Sequence, residues 1–145
     1  MVVLGMDTAT ADAVVGVARG GEILRDAALE PDADGRPRHS RVLLAEVERC
    51  AEAAGGWSAV DRIAVGTGPG SYTGVRIGIS CGLGLSLAKG VPLAGMPSVC
   101  ALGEAGGYWV IGDARRGKFF RCRVEDGRMT GAPVLSVLSF QAELL

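Results

Sequence analysis

Residues 66–90 read GTGPGSYTGVRIGISCGLGLSLAKG, and the rest of the chain is arranged around them. Glycines that tolerate positive φ surround Pro69, whose ring fixes one dihedral, so a preceding strand must end here in a tight turn. A helix follows from about residue 73 to residue 89, where no proline intervenes and the only charges are Arg76 and Lys89. Gly74, Gly78 and Gly82 recur every four residues, which stacks them on one helix face. Each costs roughly 1 kcal/mol relative to Ala, so three together need a close backbone approach in return. Val75, Ile77, Ile79, Leu83, Leu85 and Leu87 fill the other faces, and a helix apolar nearly all round is expected to be buried on most sides. Core on one side and a partner helix on the other is the arrangement this implies; the plainer alternative is a tight turn before a core helix.

Two other readings fail on chemistry. A phosphate-binding P-loop needs a Lys followed by Ser or Thr after its glycines, and Ser71-Tyr72-Thr73 offers none. A membrane span needs about 18 or more apolar residues, and Arg76 and Lys89 bracket only residues 77–88.

A chain of 145 residues with 48% hydrophobic content is long enough to bury about 68–70% of its unfolded surface. Fifteen basic against sixteen acidic residues, net charge -1, argue against the broad basic face of an independent nucleic-acid binder. The four cysteines, Cys50, Cys81, Cys100 and Cys122, form no CxxC pair and His39 is the single histidine, so zinc spacing is absent. MVVLGM at residues 1–6 lacks the basic flank and long apolar region of a signal peptide, and a reducing cytoplasm is the expected compartment.

Residues 2–6 form an apolar strand closed by an Asp7-Thr8-Ala9-Thr10 turn. Residues 13–18 and 22–29 form two more strands around the Gly20-Gly21 hairpin. The polar segment EPDADGRPR at residues 30–38 is expected to be an exposed, mobile loop. A helix from His39 or Ser40 runs to Ala54, stopped by Gly55-Gly56, with Leu43, Val47, Cys50 and Ala54 on its apolar face and Leu44 and Ala51 on the shoulder. Residues 61–67 and 91–96 supply strands flanking the glycine-rich helix. Strand, helix and strand in succession make a crossover, so the meander becomes a mixed five-stranded sheet of an α/β fold. A short helix is expected over residues 99–105, and Gly106-Gly107 marks a boundary between domains at residues 1–105 and 106–145.

Beyond it the opening pattern returns. Residues 109–114, WVIGDA, parallel residues 3–8, VLGMDT, and thirteen positions separate Asp7 from Gly20 as they separate Asp113 from Asp126. The shared spacing points to a duplicated meander, with residues 118–124 as second strand and Arg128 opening the third.

The motif GPGSYTGVRIG at residues 68–78, with MDTAT at 6–10, His39-Ser40 opening a helix and GDARRGKFF at 112–120, resembles the bacterial TsaB family, also called YeaZ. The resemblance spans nearly the whole chain in the family's order. It implies the actin, Hsp70 and sugar-kinase (ASKHA) fold, complete in the first domain and incomplete in the second, where residues 140–145 would be only the first turn or two of a helix. In that superfamily the Asp turns approach a nucleotide, which makes Asp7, Thr8, Thr10 and Asp113 candidates for cofactor binding. Against this, Asp-Thr is also a plain turn-former, and no cofactor is expected on this chain alone.

No catalytic residue or metal site emerges. The catalytic paralogue carries paired histidines on its first-domain helix, whereas here Leu43 stands four residues after His39; His39 alone reads as a capping or surface residue. The implied role is a non-catalytic accessory subunit that pairs with a TsaD-type catalytic subunit, with a TsaE-type ATPase also in the machinery that makes N6-threonylcarbamoyladenosine in tRNA. ATP and metal are then expected in the partner subunits, tRNA is the substrate of the complex, and self-pairing is a further expectation. His39, Leu44, Ala51, Gly74, Gly78 and Gly82 are the expected partner interface. The alternative is an independent enzyme of the superfamily, a small-molecule phosphotransferase or a peptidase.

Overall fold

A computed structural model of the protein describes residues 1–31, 39–103 and 106–137, and the chain divides into two compact units, Met1–Met96 and Pro97–Leu145. The loop expected at residues 30–38 and the helix start expected at 140–145 fall almost wholly outside the described residues. The first unit runs β1 (Val2–Asp7), β2 (Ala13–Arg19), β3 (Glu22–Leu29), α1 (His39–Ala53), β4 (Arg62–Gly66), α2 (Tyr72–Lys89) and β5 (Leu93–Met96). Its sheet has the order β3-β2-β1-β4-β5. The first three strands pair antiparallel, while β4 joins β1 and β5 joins β4 in parallel. Antiparallel neighbours need only the tight hairpin at Gly20 and Gly21, whose φ values are 58° and 94°. Parallel neighbours need long crossovers, which α1 and α2 supply. The mixed five-stranded sheet read from the sequence is therefore present.

Both helices cover one face. Val2, Leu4 and Met6 of β1 alternate inward with Val15, Val17, Ile63 and Val65, as a strand's two-residue period demands. They meet Leu43, Val47, Cys50, Ala51 and Ala54 from α1 and its C-terminal edge, and Leu85 from α2. Fully burying an aliphatic side chain of this kind contributes roughly 1.5–3 kcal/mol. Beside this core, Arg25 of β3 bonds the Glu46 carboxylate of α1 at 3.0 Å, and that hydrogen bond holds Glu46 below its ordinary range. Gly55 and Gly56, both with positive φ, end α1 where the sequence placed its stop.

Ser71 caps α2, its side chain accepting from the Gly74 N–H at 3.2 Å, and Gly90 closes it in the left-handed conformation with φ 69°. The expectation that α2 is buried on most sides does not hold. Tyr72 is 75% exposed, Leu83 49% and Leu87 85%, because the sheet occupies one side of α2 and α1 only part of another. No helix among the described residues is long and apolar enough to cross a membrane.

The second unit begins with a 3-10 turn, Ser98–Ala101, in place of the helix expected over 99–105, followed by β6 (Gly107–Arg115), β7 (Lys118–Glu125), β8 (Arg128–Met129) and β9 (Val134–Val137). Hairpins at Arg116-Gly117 and Asp126-Gly127 carry positive φ at both central residues, the backbone that suits two-residue turns between twisted strands. β6 pairs one side of β7, and β8 and β9 pair successive parts of its other side. The meander of β1, β2 and β3 is thus repeated with its third strand interrupted. The division after Met96 lies nearer the N-terminus than the boundary expected at 105. Its cause is packing: Val99 joins Cys122 and Val124 in a second small core, and the Tyr108 hydroxyl donates to the Val99 carbonyl at 2.8 Å.

Candidate functional site

The turn after β1 and the glycine-rich turn before α2 interlock. Asp7 accepts the Ala9 N–H on Oδ1 at 2.7 Å, an Asx-type closure of its own turn. The Ser71 N–H donates to the Ala9 carbonyl at 2.6 Å, and Thr8, fully buried, donates its hydroxyl to the Gly74 carbonyl at 2.6 Å. A Cβ added at Gly70 would lie 2.3 Å from the Ala9 carbonyl oxygen, and one at Gly66 1.9 Å from the Asp7 carboxylate.

This corrects the expected role of the repeated glycines. A Cβ at Gly74 would stand 1.9 Å from the Thr8 carbonyl oxygen, one at Gly78 2.5 Å from the Thr8 hydroxyl, and one at Gly82 2.6 Å from Val65 Cγ1. Gly74, Gly78 and Gly82 are buried, the first two against Thr8 just past β1 and the third against Val65 and Leu93, so the face expected to meet a partner packs inward on the chain itself. Only at Gly74 is the close neighbour backbone, the Thr8 carbonyl; at Gly78 it is the Thr8 side chain and at Gly82 the Val65 and Leu93 side chains of β4 and β5. Ala51, 1% exposed, likewise faces the core.

The same contacts define what the candidate nucleotide residues do. Thr8 and Asp7 hold two turns together, and Thr10 Oγ1 donates to the Asp12 carbonyl at 2.7 Å. Asp113 lies near the end of β6, in the other unit. Replacing Thr8 by Val keeps the shape and removes the buried hydroxyl. The expected result is a loss of about 1–2 kcal/mol, read in urea as a lower midpoint with an unchanged slope.

On its outer side α2 presents a different surface. An apolar groove of about 670 Å³ runs between α1 and α2, walled by Leu44 and Ile77 and lined by Ser80, Cys81 and Gly84, with Tyr72 and Arg76 at its mouth. The Arg76 guanidinium lies 5.3 Å from the Tyr72 ring centroid and donates to its hydroxyl at 3.3 Å. Leu44 is 57% exposed, and a Cβ at Gly84 would meet no atom within 4 Å. Burial pushes the Cys81 thiol above its ordinary range, so it lines the groove as a neutral, weakly polar group. Such a trough suits the apolar ridge of another helix.

Of the expected interface residues, Leu44 alone is seen in this groove. His39 begins α1, and its side chain lies outside the described residues. Tyr72, Arg76, Ile77, Ser80, Cys81 and Gly84 were missed. Their spacing of three and four along α2 carried the signal, masked by the more regular glycine series on the opposite face. Leu43, where the paralogue's second histidine would stand, is 2% exposed in the core. No cluster of three metal-ligating side chains occurs among the described residues.

A family model for tRNA N6-adenosine threonylcarbamoyltransferase matches residues 33–135. An uncharacterized protein of Mycobacterium tuberculosis (strain H37Rv) is 31% identical over 136 residues, which is 92% of this chain and 64% of that protein. The tRNA threonylcarbamoyladenosine biosynthesis protein TsaB of Escherichia coli (strain K12) is 31% identical over 117 residues, 80% of this chain and 48% of that one. YeaZ from Pseudomonas aeruginosa superposes with a TM-score of 0.76 at 28% identity, over 92% of this chain and 66% of that structure. The chain therefore spans between 48% and 66% of the length of these three relatives.

Proposed function

Since the chain belongs to the TsaB (YeaZ) family, with the actin- and sugar-kinase-like fold, we propose that it serves N6-threonylcarbamoyladenosine formation in tRNA as a non-catalytic accessory subunit. The observation that carries this reading is the apolar groove between α1 and α2. An exposed trough of that size, lined by Leu43, Leu44, Ile77 and Leu85, is costly in water and fits the helices of a TsaD-type catalytic subunit. The threonylcarbamoyl group is then transferred by that partner, with a TsaE-type ATPase supporting turnover, and ATP and metal are held by the partners. Two features support a binding role over a catalytic one. Asp7 and Thr8 are engaged in the turn that seats α2, and the helix position that would carry the paralogue's second histidine is the core residue Leu43.

The test is reconstitution. The purified chain is assayed for tRNA modification alone and then with the TsaD-type and TsaE-type subunits from the same cell, using threonylcarbamoyl adenylate as donor. The chain alone is expected to be silent, and its addition is expected to raise the rate of the other two. Modification by the chain alone, or no effect of adding it, overturns the proposal.

A further inference from the structure

The groove between α1 and α2 is charged unevenly along its length. β1, β3, β4 and β5 all run one way, since two antiparallel steps lead from β1 to β3 and the other pairings are parallel. α1 and α2 each return between two such strands, so they point the same way, with their N-termini at one end of the groove. Towards the opposite end, one turn beyond Leu44 and Leu85, Glu48 and Lys89 neutralise each other across the helices at 3.7 Å. Trp57 completes that contact. Its indole N–H donates to Glu48 at 2.7 Å, and the Lys89 ammonium lies 5.1 Å from its ring centroid.

The N-terminal end has no such balance. Arg76 is the one charged side chain among the described residues lining the groove. Its guanidinium lies over the Tyr72 ring and donates to the Tyr72 hydroxyl, contacts that orient it without neutralising it. Among the described residues no carboxylate forms an ion pair with it. The positive poles of two parallel helices add to its potential at the same end.

We infer that the groove takes a helix of the TsaD-type subunit running antiparallel to α1 and α2, with an apolar ridge and, where it passes Tyr72, a carboxylate that pairs with Arg76. The antiparallel direction sets its dipole against the two aligned ones. A guanidinium presents a planar fork that matches a carboxylate with two hydrogen bonds, and the Tyr72 ring already holds this one, so little freedom is lost on docking. A wholly apolar ridge would strip water from Arg76 and return nothing. A second copy docked groove to groove about a two-fold axis fits less well, because it brings to Arg76 the end where Glu48 is already engaged by Lys89. The inference rests on the accessory-subunit reading for the partner's identity, and adds the residue that selects the partner.

The experiment titrates the full chain with the TsaD-type subunit from the same cell by calorimetry, between about 50 and 500 mM salt. Arg76→Met keeps a long side chain of similar helix propensity at an exposed position, so circular dichroism should be unchanged. It is expected to weaken binding about tenfold at low salt and to flatten the salt dependence, while Arg76→Lys recovers most of the affinity and Arg76→Glu loses about 100-fold. In a set of TsaD-type variants with each helix-borne Asp or Glu changed to Lys, one is expected to bind Arg76→Glu better than it binds the parent chain. Parental affinity in Arg76→Met, an unchanged salt response, or the lack of any rescuing Lys variant overturns the inference and leaves the accessory-subunit reading standing. No binding by the parent chain overturns both. Self-association that weakens in Arg76→Met while TsaD-type binding does not also overturns the inference, and makes the occupant a second copy.

Discussion

Gly84→Leu will leave the protein folded and weaken its association with a TsaD-type subunit by about 30-fold or more. Within the chain the added side chain meets open space, since a Cβ at Gly84 has no atom within 4 Å. The substitution also favours the helix by roughly 0.8 kcal/mol. In the groove between α1 and α2 the same side chain fills the volume a partner helix would occupy. Truncating or blocking a central interface position costs about 2 kcal/mol or more, and 1.4 kcal/mol is tenfold in affinity. Circular dichroism and calorimetric titration with the partner read the two effects separately. Undiminished binding by the folded variant would move the interface away from this groove. Leu44→Asp, on the facing wall, is a second approach to the same surface and is expected to agree.

Gly74→Val carries the opposite signature. The new Cβ would lie 1.9 Å from the Thr8 carbonyl oxygen, a backbone atom one residue past the paired end of β1 and held by the interlocked turns. Neither side can yield as the free end of a flexible side chain would, so overpacking is expected at about 3 kcal/mol, the upper end of its usual range. For a unit of this size that is a fall in Tm of roughly 12–24 °C, measured by scanning calorimetry. Gly78→Leu should behave in the same way, lowering Tm without a selective binding defect in whatever fraction remains folded. A Gly74→Val protein that melts with the parent but fails to bind its partner would return the glycine face to the interface.

Much of the architecture was legible before any coordinates. Two-residue alternation in β1 and β2, the paired glycines at the first hairpin, the Gly55-Gly56 stop and the strand-helix-strand order all act over a few neighbouring residues, where sequence and conformation are closely tied. The thirteen-residue spacing from Asp7 to Gly20 and from Asp113 to Asp126 correctly announced a second meander, because hairpin position is set by strand length. The interruption between β8 and β9 was not legible, since the cross-strand pairing that reveals it is made with β7.

The candidate site divides along the same line. The sequence by itself determined that something must press closely against Gly74, Gly78 and Gly82, because only residues without a Cβ permit that approach and their four-residue spacing fixes one helix face. It also determined that the remaining surface of α2 is apolar. Only the tertiary structure decided what fills the first requirement. Thr8, sixty-six residues away from Gly74, does so at Gly74 and Gly78, and Val65 and Leu93 do so at Gly82, while the apolar surface left over becomes the groove. Helical periodicity states which residues share a face, and it is blind to what lies opposite, because that neighbour is set by contacts between segments far apart in the chain.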